Sequence, residues 1–248
     1  MADKKAVKES LVEYLVRTGL SNDVVSARKE ILAGLIRVDD VVVDKVGAVV
    51  RSASRIEKIG ARKYVSRAAL KLQSAVEAFS IPVSEAVCAD VGACTGGFTE
   101  VLLQHGAQKV FAIDVGYGNL DWKIRSDSRV EVMERTNARH IESLPEPVDI
   151  VVIDVSFISL RVILPVVVQW MKPSGQVVAL IKPQFEATRE EVSAESGIIT
   201  HESVHERVVE EIASCLPPLG LAKRAVIVSP ILGAEGNKEF LLWASRND

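Results

Sequence analysis

The sequence predicts a doubly wound, mostly parallel α/β sheet behind a small N-terminal α+β domain, with residues 1–60 in the small domain and 61–248 in the large one. Three observations predict it. Short apolar, β-branched runs recur from Ala86 onward, separated by segments of helical spacing. Ahead of them the chain reads helix, helix, tight hairpin. Charge divides the same way: residues 1–63 carry +4 and the remainder −7, within an overall −3. A basic head on an acidic body suits a head that touches phosphates.

Taken in order, Leu11, Leu15 and Val16 lie at helical spacing and Gly19 closes that helix. A second helix places Val24, Ala27, Ile31 and Leu35 on one face. Residues 35–43 then form a hairpin with Asp39-Asp40 at its turn. A charged connector, 55–63, leads to Ser66, the expected N-cap of a helix carrying Leu70, Leu72, Val76 and Phe79. Strands are expected at 86–91, 109–114, 130–133, 149–154 and 176–181, with helical segments such as 98–105 and 159–171 between them. That rhythm places helices on both faces of a parallel sheet. Two late strands, 225–229 and 239–244, close it as a hairpin-like edge. Residues 184–200 are long, polar and contain Gly197, and read as a mobile flap.

Composition narrows the class. Hydrophobic residues make up 48% and charged residues 25%, ordinary for a soluble globular chain. The start Met1-Ala2-Asp3-Lys4-Lys5 leads into no apolar stretch, so no signal peptide is expected. The greasiest run, 162–171, is broken by Pro165 and Gln169 and is too short for a bilayer. Cys88, Cys94 and Cys215 are scattered and form no C-x-x-C pair. A reduced cytoplasm, no membrane and no metal site are the expectations.

The loop leaving the first large-domain strand is Asp90-Val91-Gly92-Ala93-Cys94-Thr95-Gly96-Gly97-Phe98-Thr99. Glycine there lets backbone approach a ligand, and the following helix offers its N-terminal N–H groups. A dinucleotide loop would carry G-x-G-x-x-G, whereas this one opens on a carboxylate that would repel a pyrophosphate. Asp90 suits the cationic methionine end of S-adenosylmethionine. Asp90, Gly92, Ala93, Thr95, Gly97, Phe98 and Thr99 are therefore expected to hold that donor. Asp114, at the end of the second strand, is expected on the ribose hydroxyls, and Asn137, after the third, at the adenine edge.

Two later strands each end in an ionisable residue at the same rim: Asp154 in Asp154-Val155-Ser156-Phe157-Ile158-Ser159, and Lys182 in Lys182-Pro183-Gln184-Phe185-Glu186. With Val65-Ser66-Arg67…Lys71-Leu72, Gly96-Gly97-Phe98-Thr99, Asp114-Val115-Gly116-Tyr117-Gly118 and Gly236-Asn237…Glu239, these motifs run through nearly the whole chain. In that order they resemble the haemolysin A (TlyA) family of ribosomal RNA 2′-O-methyltransferases. The resemblance implies a small S4-like RNA-binding domain ahead of an FtsJ-like, Rossmann-like methyltransferase domain. It implies S-adenosyl-L-methionine as cofactor and ribosomal RNA or ribosomal subunits, not DNA, as partner, with cytidine riboses as targets. It also implies a Lys-Asp-Lys-Glu tetrad on Lys71, Asp154, Lys182 and Glu239. Three places depart from the family pattern. Cys94 stands where a Ser is usual, and Asp23-Val24 and Asp39-Asp40 stand where S4 domains carry Ser-Arg and Asn-Gly.

A ribose 2′-hydroxyl is a poor nucleophile at neutral pH, so a group must take or share its proton. Lys182 serves as base if burial and the charge of Lys71 hold it neutral. Otherwise Asp154 accepts the proton and Lys182 steadies the oxyanion, with Glu239 orienting the ribose or a lysine. Arg67 and Arg189 are candidates for phosphate contact. The rival readings are an RNA-binding module without catalysis and a haemolysin-like activity.

Overall fold

The computed structural model describes residues 8–246 apart from 33, 44, 52, 59–63, 195 and 234–235. The Met1–Lys5 start and the second half of the charged connector lie outside the described residues. The chain divides into two compact units, Met1–Lys63 and Tyr64–Asp248.

In the first unit, β1 (Lys8–Ser10) is followed by α1 (Leu11–Arg17), α2 (Val24–Leu32), β2 (Ile36–Val38), β3 (Val41–Val43), β4 (Val49–Arg51) and β5 (Ile56–Lys58). Leu11, Leu15, Ala27, Ile31 and Ile36 are fully enclosed and form its core. The β2–β3 turn holds Asp39 at φ 47° and Asp40 at φ 67°. Both central residues are left-handed, the two-residue turn whose twist matches a hairpin, and aspartate tolerates that region better than most residues. Leu35 is not on α2 as its spacing suggested. Gly34 turns left-handed at φ 63°, and the Leu35 N–H reaches back to the Glu30 carbonyl, which ends the helix at Leu32. Ile56–Lys58, expected within a connector, is a strand paired with β2, and β1 pairs with β4.

The second unit opens with α3 (Ala69–Phe79) and then alternates: β6 (Val87–Val91), α4 (Gly97–Gln104), β7 (Lys109–Ile113), α5 (Trp122–Arg125), β8 (Val130–Met133), β9 (Val148–Ile153), α6 (Leu160–Val167), β10 (Met171–Ile181), α7 (Pro183–Glu186), α8 (Arg189–Ala194), α9 (Glu202–Ser214), β11 (Leu221–Val228) and β12 (Phe240–Arg246). Its seven-stranded sheet has the order β11-β12-β10-β9-β6-β7-β8, with β12 antiparallel to both neighbours and the rest parallel. Strand order reverses between β6 and β9, so the carboxyl ends of these two strands flank the switch-point crevice where such sheets bind ligands. Two apolar clusters, one on each face, bury the sheet.

Three local expectations are corrected. Ser66 is not the N-cap of α3. Its carbonyl accepts the Ala69 N–H, the cap position falls on Ala68, and the Ser66 hydroxyl packs toward Gly97. The buried stripe of α3 excludes Leu70, which is 43% exposed, and includes Lys71 at 7%. The polar segment 184–200 is not one irregular flap. It folds into α7 and α8, and Arg207 on α9 pairs with Glu191 on α8 at 2.6 Å. The 13-residue α9 was not read from the sequence, although Val204, Val208 and Ile212 recur every four residues, with Val208 and Ile212 buried. Among the described residues no helix is long and apolar enough to cross a membrane.

Candidate active site

Gly92 explains how the crevice can exist. At φ 90°, a Cβ there would stand 2.3 Å from the Asp154 carbonyl oxygen, so only glycine lets the β6 loop pass the end of β9. The Asp154 N–H donates to the Val91 carbonyl at 2.9 Å, which draws the two strand ends together. At Gly97 a Cβ would meet Ser66 Oγ at 2.3 Å, which sets the start of α4 against the run before α3. Glu100 on α4 reinforces that contact, accepting the Val65 N–H at 2.6 Å while Lys123 neutralises it at 2.6 Å.

Two adjoining cavities result. The larger, about 480 Å³, is bordered by Gly92, Asp114, Val115, Asn137, Asp154 and Phe157 among others. The smaller, about 290 Å³, is bordered by Ser66, Arg67, Ala93, Thr95, Gly97, Phe98 and Lys182. Gly92, Cys94, Asp154 and Ser156 border both, so the two form lobes of one groove.

Asp114 follows β7, accepting the Cys94 N–H at 2.8 Å on one oxygen and the Gly116 N–H at 2.6 Å on the other. Each carboxylate oxygen keeps a second lone pair, so it can still accept from a vicinal diol. Asn137 Oδ1 caps the turn 138–140 by accepting the Arg139 N–H at 3.1 Å, which leaves the amide NH₂ as the remaining polar end of this cavity-lining side chain.

Asp90 and Thr99 differ from the expectation that they face a ligand. Both are fully buried and border neither cavity; Thr99 Oγ1 donates to Asp90 Oδ2 at 2.6 Å, behind the loop. Their work is to brace the loop from within, because the alternation of β6 turns Asp90 into the core. Burial, and next the nearby charges of Asp154 and Asp114, push the Asp90 carboxyl from its ordinary 3.8 to about 7 against the Thr99 hydrogen bonds. A folded-state value above the unfolded one means that the native protein holds this proton more tightly. Its contribution to stability is complete at low pH and is lost as pH climbs from about 4 through about 7. Asp90→Asn removes that dependence. Urea titrations across this window should show wild-type stability falling relative to the variant by a few kcal/mol, roughly 1.4 per pH unit, and levelling off above it. Parallel curves would refute the buried, protonated carboxyl.

The four charges form two ion pairs, of which Lys182–Asp154 borders the groove while Lys71–Glu239 is buried and lines neither cavity. Lys71 Nζ lies 2.5 Å from Glu239 Oε2, and Lys182 Nζ lies 2.6 Å from Asp154 Oδ1 and donates to Ser156 Oγ at 3.1 Å. Ile181 pairs with Phe240 across the β10–β12 ladder, so the next residues outward, Lys182 and Glu239, stand opposite each other. Glu239 directly precedes β12 and does not begin it. Gly233 makes room for it, since a Cβ there would lie 2.1 Å from Glu239 Oε1. Lys71 therefore does not act as a bare positive neighbour of Lys182, as the sequence suggested; its charge is answered by Glu239. Arg67 borders the smaller cavity, whereas Arg189 is on α8 and borders neither.

Sequence reasoning missed Ser156, which borders both cavities and accepts from Lys182, and Glu186, whose partners are described below. Both lie inside the motifs that drew attention, but nothing local marks their partners.

The family model for FtsJ-like methyltransferases matches residues 64–246. Over 233 residues the chain is 42% identical to the 16S/23S rRNA (cytidine-2′-O)-methyltransferase TlyA of Mycobacterium tuberculosis strain H37Rv, covering 92% of this chain and 87% of that one. It is 40% identical to Hemolysin A of Brachyspira hyodysenteriae, covering 93% and 97% respectively. A solved structure from Streptococcus thermophilus, whose name also carries the word hemolysin, superposes with a TM-score of 0.75 at 38% identity over 97% of this chain and 89% of that one.

Proposed function

The chain belongs to the FtsJ-like methyltransferase family, and from that membership we propose that it methylates a ribose 2′-hydroxyl of ribosomal RNA, a cytidine as in its named relatives. The observation that carries the reading is the Lys182–Asp154 ion pair bordering the groove at the sheet's switch point.

The cofactor is S-adenosyl-L-methionine, which supplies an electrophilic methyl group on a sulfonium. The residues present fit it. Asp114 has lone pairs left for a ribose diol, Asn137 and the backbone beside it border the larger lobe, and Gly92 to Gly97 leave room for main-chain contact in the smaller. Gly92, Ala93, Thr95, Gly97 and Phe98 line that contact surface, while Asp90 and Thr99 hold its shape. On the acceptor side, each lysine has its own carboxylate within 2.6 Å, so Lys182 is placed as an ion-pair partner and hydrogen-bond donor at the rim of the groove. Asp154 then takes the 2′-hydroxyl proton, and Lys182 stabilises the oxygen as negative charge develops on it. Lys71 and Glu239 pair behind the groove, with Glu239 opposite Lys182 in the ladder register, and support the strand end that carries Lys182. A groove that acts on a 2′-hydroxyl selects RNA over DNA.

The helix–helix–hairpin order of the first unit and its +4 charge support reading it as an S4-like domain that contacts phosphates. The setting is the cytoplasm, where ribosomal subunits are found. Incubation with labelled donor and unmodified ribosomal subunits should place label in alkali-resistant internucleotide linkages. Label recovered on a base would overturn the 2′-O assignment.

A further inference from the structure

The turn after β9 and the turn after β10, which carry Asp154 and Lys182, are joined by more than their ion pair. Glu186 Oε2 accepts the Ser159 hydroxyl at 2.5 Å and Oε1 accepts the Leu160 N–H at 2.7 Å. A side chain from one turn thus caps α6, the helix that the other turn leads into. Between Asp154 and Ser159 lies Phe157, at φ 63° and 90% exposed. A non-glycine residue held there is strained and persists only where its surroundings hold it. The Phe157 ring meets Phe185 at 5.0 Å, and Lys182 Nζ lies 5.9 Å from the Phe185 ring centre. The two turns are therefore closed at one end by Lys182–Asp154, in the middle by the two rings, and at the far end by Glu186.

We propose that Glu186 is a positioning residue for the methyl transfer, a clamp that holds the Asp154 turn in the geometry in which Lys182 and Asp154 meet. The inference rests on the functional reading above for its consequence, but the clamp itself is a statement about geometry. Burial raises the Glu186 carboxyl above its usual range, while Ser159 and Leu160 hold it down. What the clamp needs is two hydrogen bonds. A charge is dispensable, because glutamine can accept from the Leu160 N–H and donate to Ser159 Oγ.

Wild type, Glu186→Ala, Glu186→Gln and Ser159→Ala are compared as full chains. Single-turnover methyl transfer should fall roughly 30-fold in Glu186→Ala, since displacements near 1 Å cost up to about a hundredfold. Donor Kd from calorimetry should stay within about twofold, and Glu186→Gln should recover to within about threefold of wild type. Independently of turnover, the rate at which acetic anhydride acylates Lys182, read by mass spectrometry, should rise several-fold in Glu186→Ala and return in Glu186→Gln. Ser159→Ala, which removes one of the two bonds and also the Ser159 Oγ cap on the Arg161 N–H, should likewise speed Lys182 acylation and serves if the alanine variant does not fold. Equal impairment of the alanine and glutamine variants, or unchanged Lys182 acylation in Glu186→Ala and Ser159→Ala, overturns the clamp. A wild type that acylates as described yet moves no methyl group to RNA would fail the functional reading and leave the clamp supported.

Discussion

Lys182→Met should lower methyl transfer about a thousandfold while leaving donor binding within about twofold, the scale expected when a preorganised charge is taken from a developing oxyanion. Lys182 stands at the carboxyl end of β10, 9% exposed, with Asp154 at 2.6 Å and Ser156 at 3.1 Å. Methionine keeps its length and bulk but carries no charge and donates no hydrogen bond. Asp154, which borders both lobes of the groove, loses its partner yet stays within reach of water, so the fold should survive. Lys182→Arg should not restore the rate, because a planar fork cannot occupy the point position of an ammonium. Pre-steady-state transfer to unmodified ribosomal subunits measures the first effect, and calorimetric titration of donor measures the second. A methionine variant within tenfold of wild type would remove Lys182 from the chemistry.

Breaking the Lys71–Glu239 pair should cost about 3–5 kcal/mol of stability, the largest structural effect expected at this site. Both side chains are enclosed, 8% and 2% exposed, and no other ion pair of the described residues is buried on both sides to this degree. Lys71→Met leaves a carboxylate without a counter-ion, and Glu239→Leu does the same to an ammonium. The double variant removes both charges together and should recover most of the loss, because two matched apolar groups of similar volume replace a desolvated pair at little net cost. Denaturant unfolding of the four proteins gives the coupling energy directly. Activity should not return with stability in the double variant if the pair also shapes the acceptor wall. Single variants within about 1 kcal/mol of wild type would mean that the pair is solvated and its partners interchangeable.

Much of this molecule was readable along the chain. Strand and helix alternate because apolar periodicity is a local signal, and the strand 130–133 fell where its residues placed it. The β2–β3 hairpin was likewise written in Asp39-Asp40. Where the reading failed, the missing information was non-local. Ile56–Lys58 is only three residues long and becomes a strand because β2 offers it an edge. Asp90 looked like a ligand residue by motif, but its place on a strand buried on both faces turns it inward.

The sequence by itself determined the alternation of strands and helices through β6 to β10 and the glycines that let backbone pass close to backbone, and its motifs singled out four charged residues. Tertiary structure alone decided how those charges pair, since Lys71 and Glu239 are 168 positions apart and meet only after β12 inserts antiparallel beside β10. It likewise decided that Glu186 reaches across to Ser159 and Leu160. The physical reason is one of range. Periodicity and turn chemistry act over a few residues, whereas the partner of a buried charge is chosen by ladder register and by the absence of water to take its place.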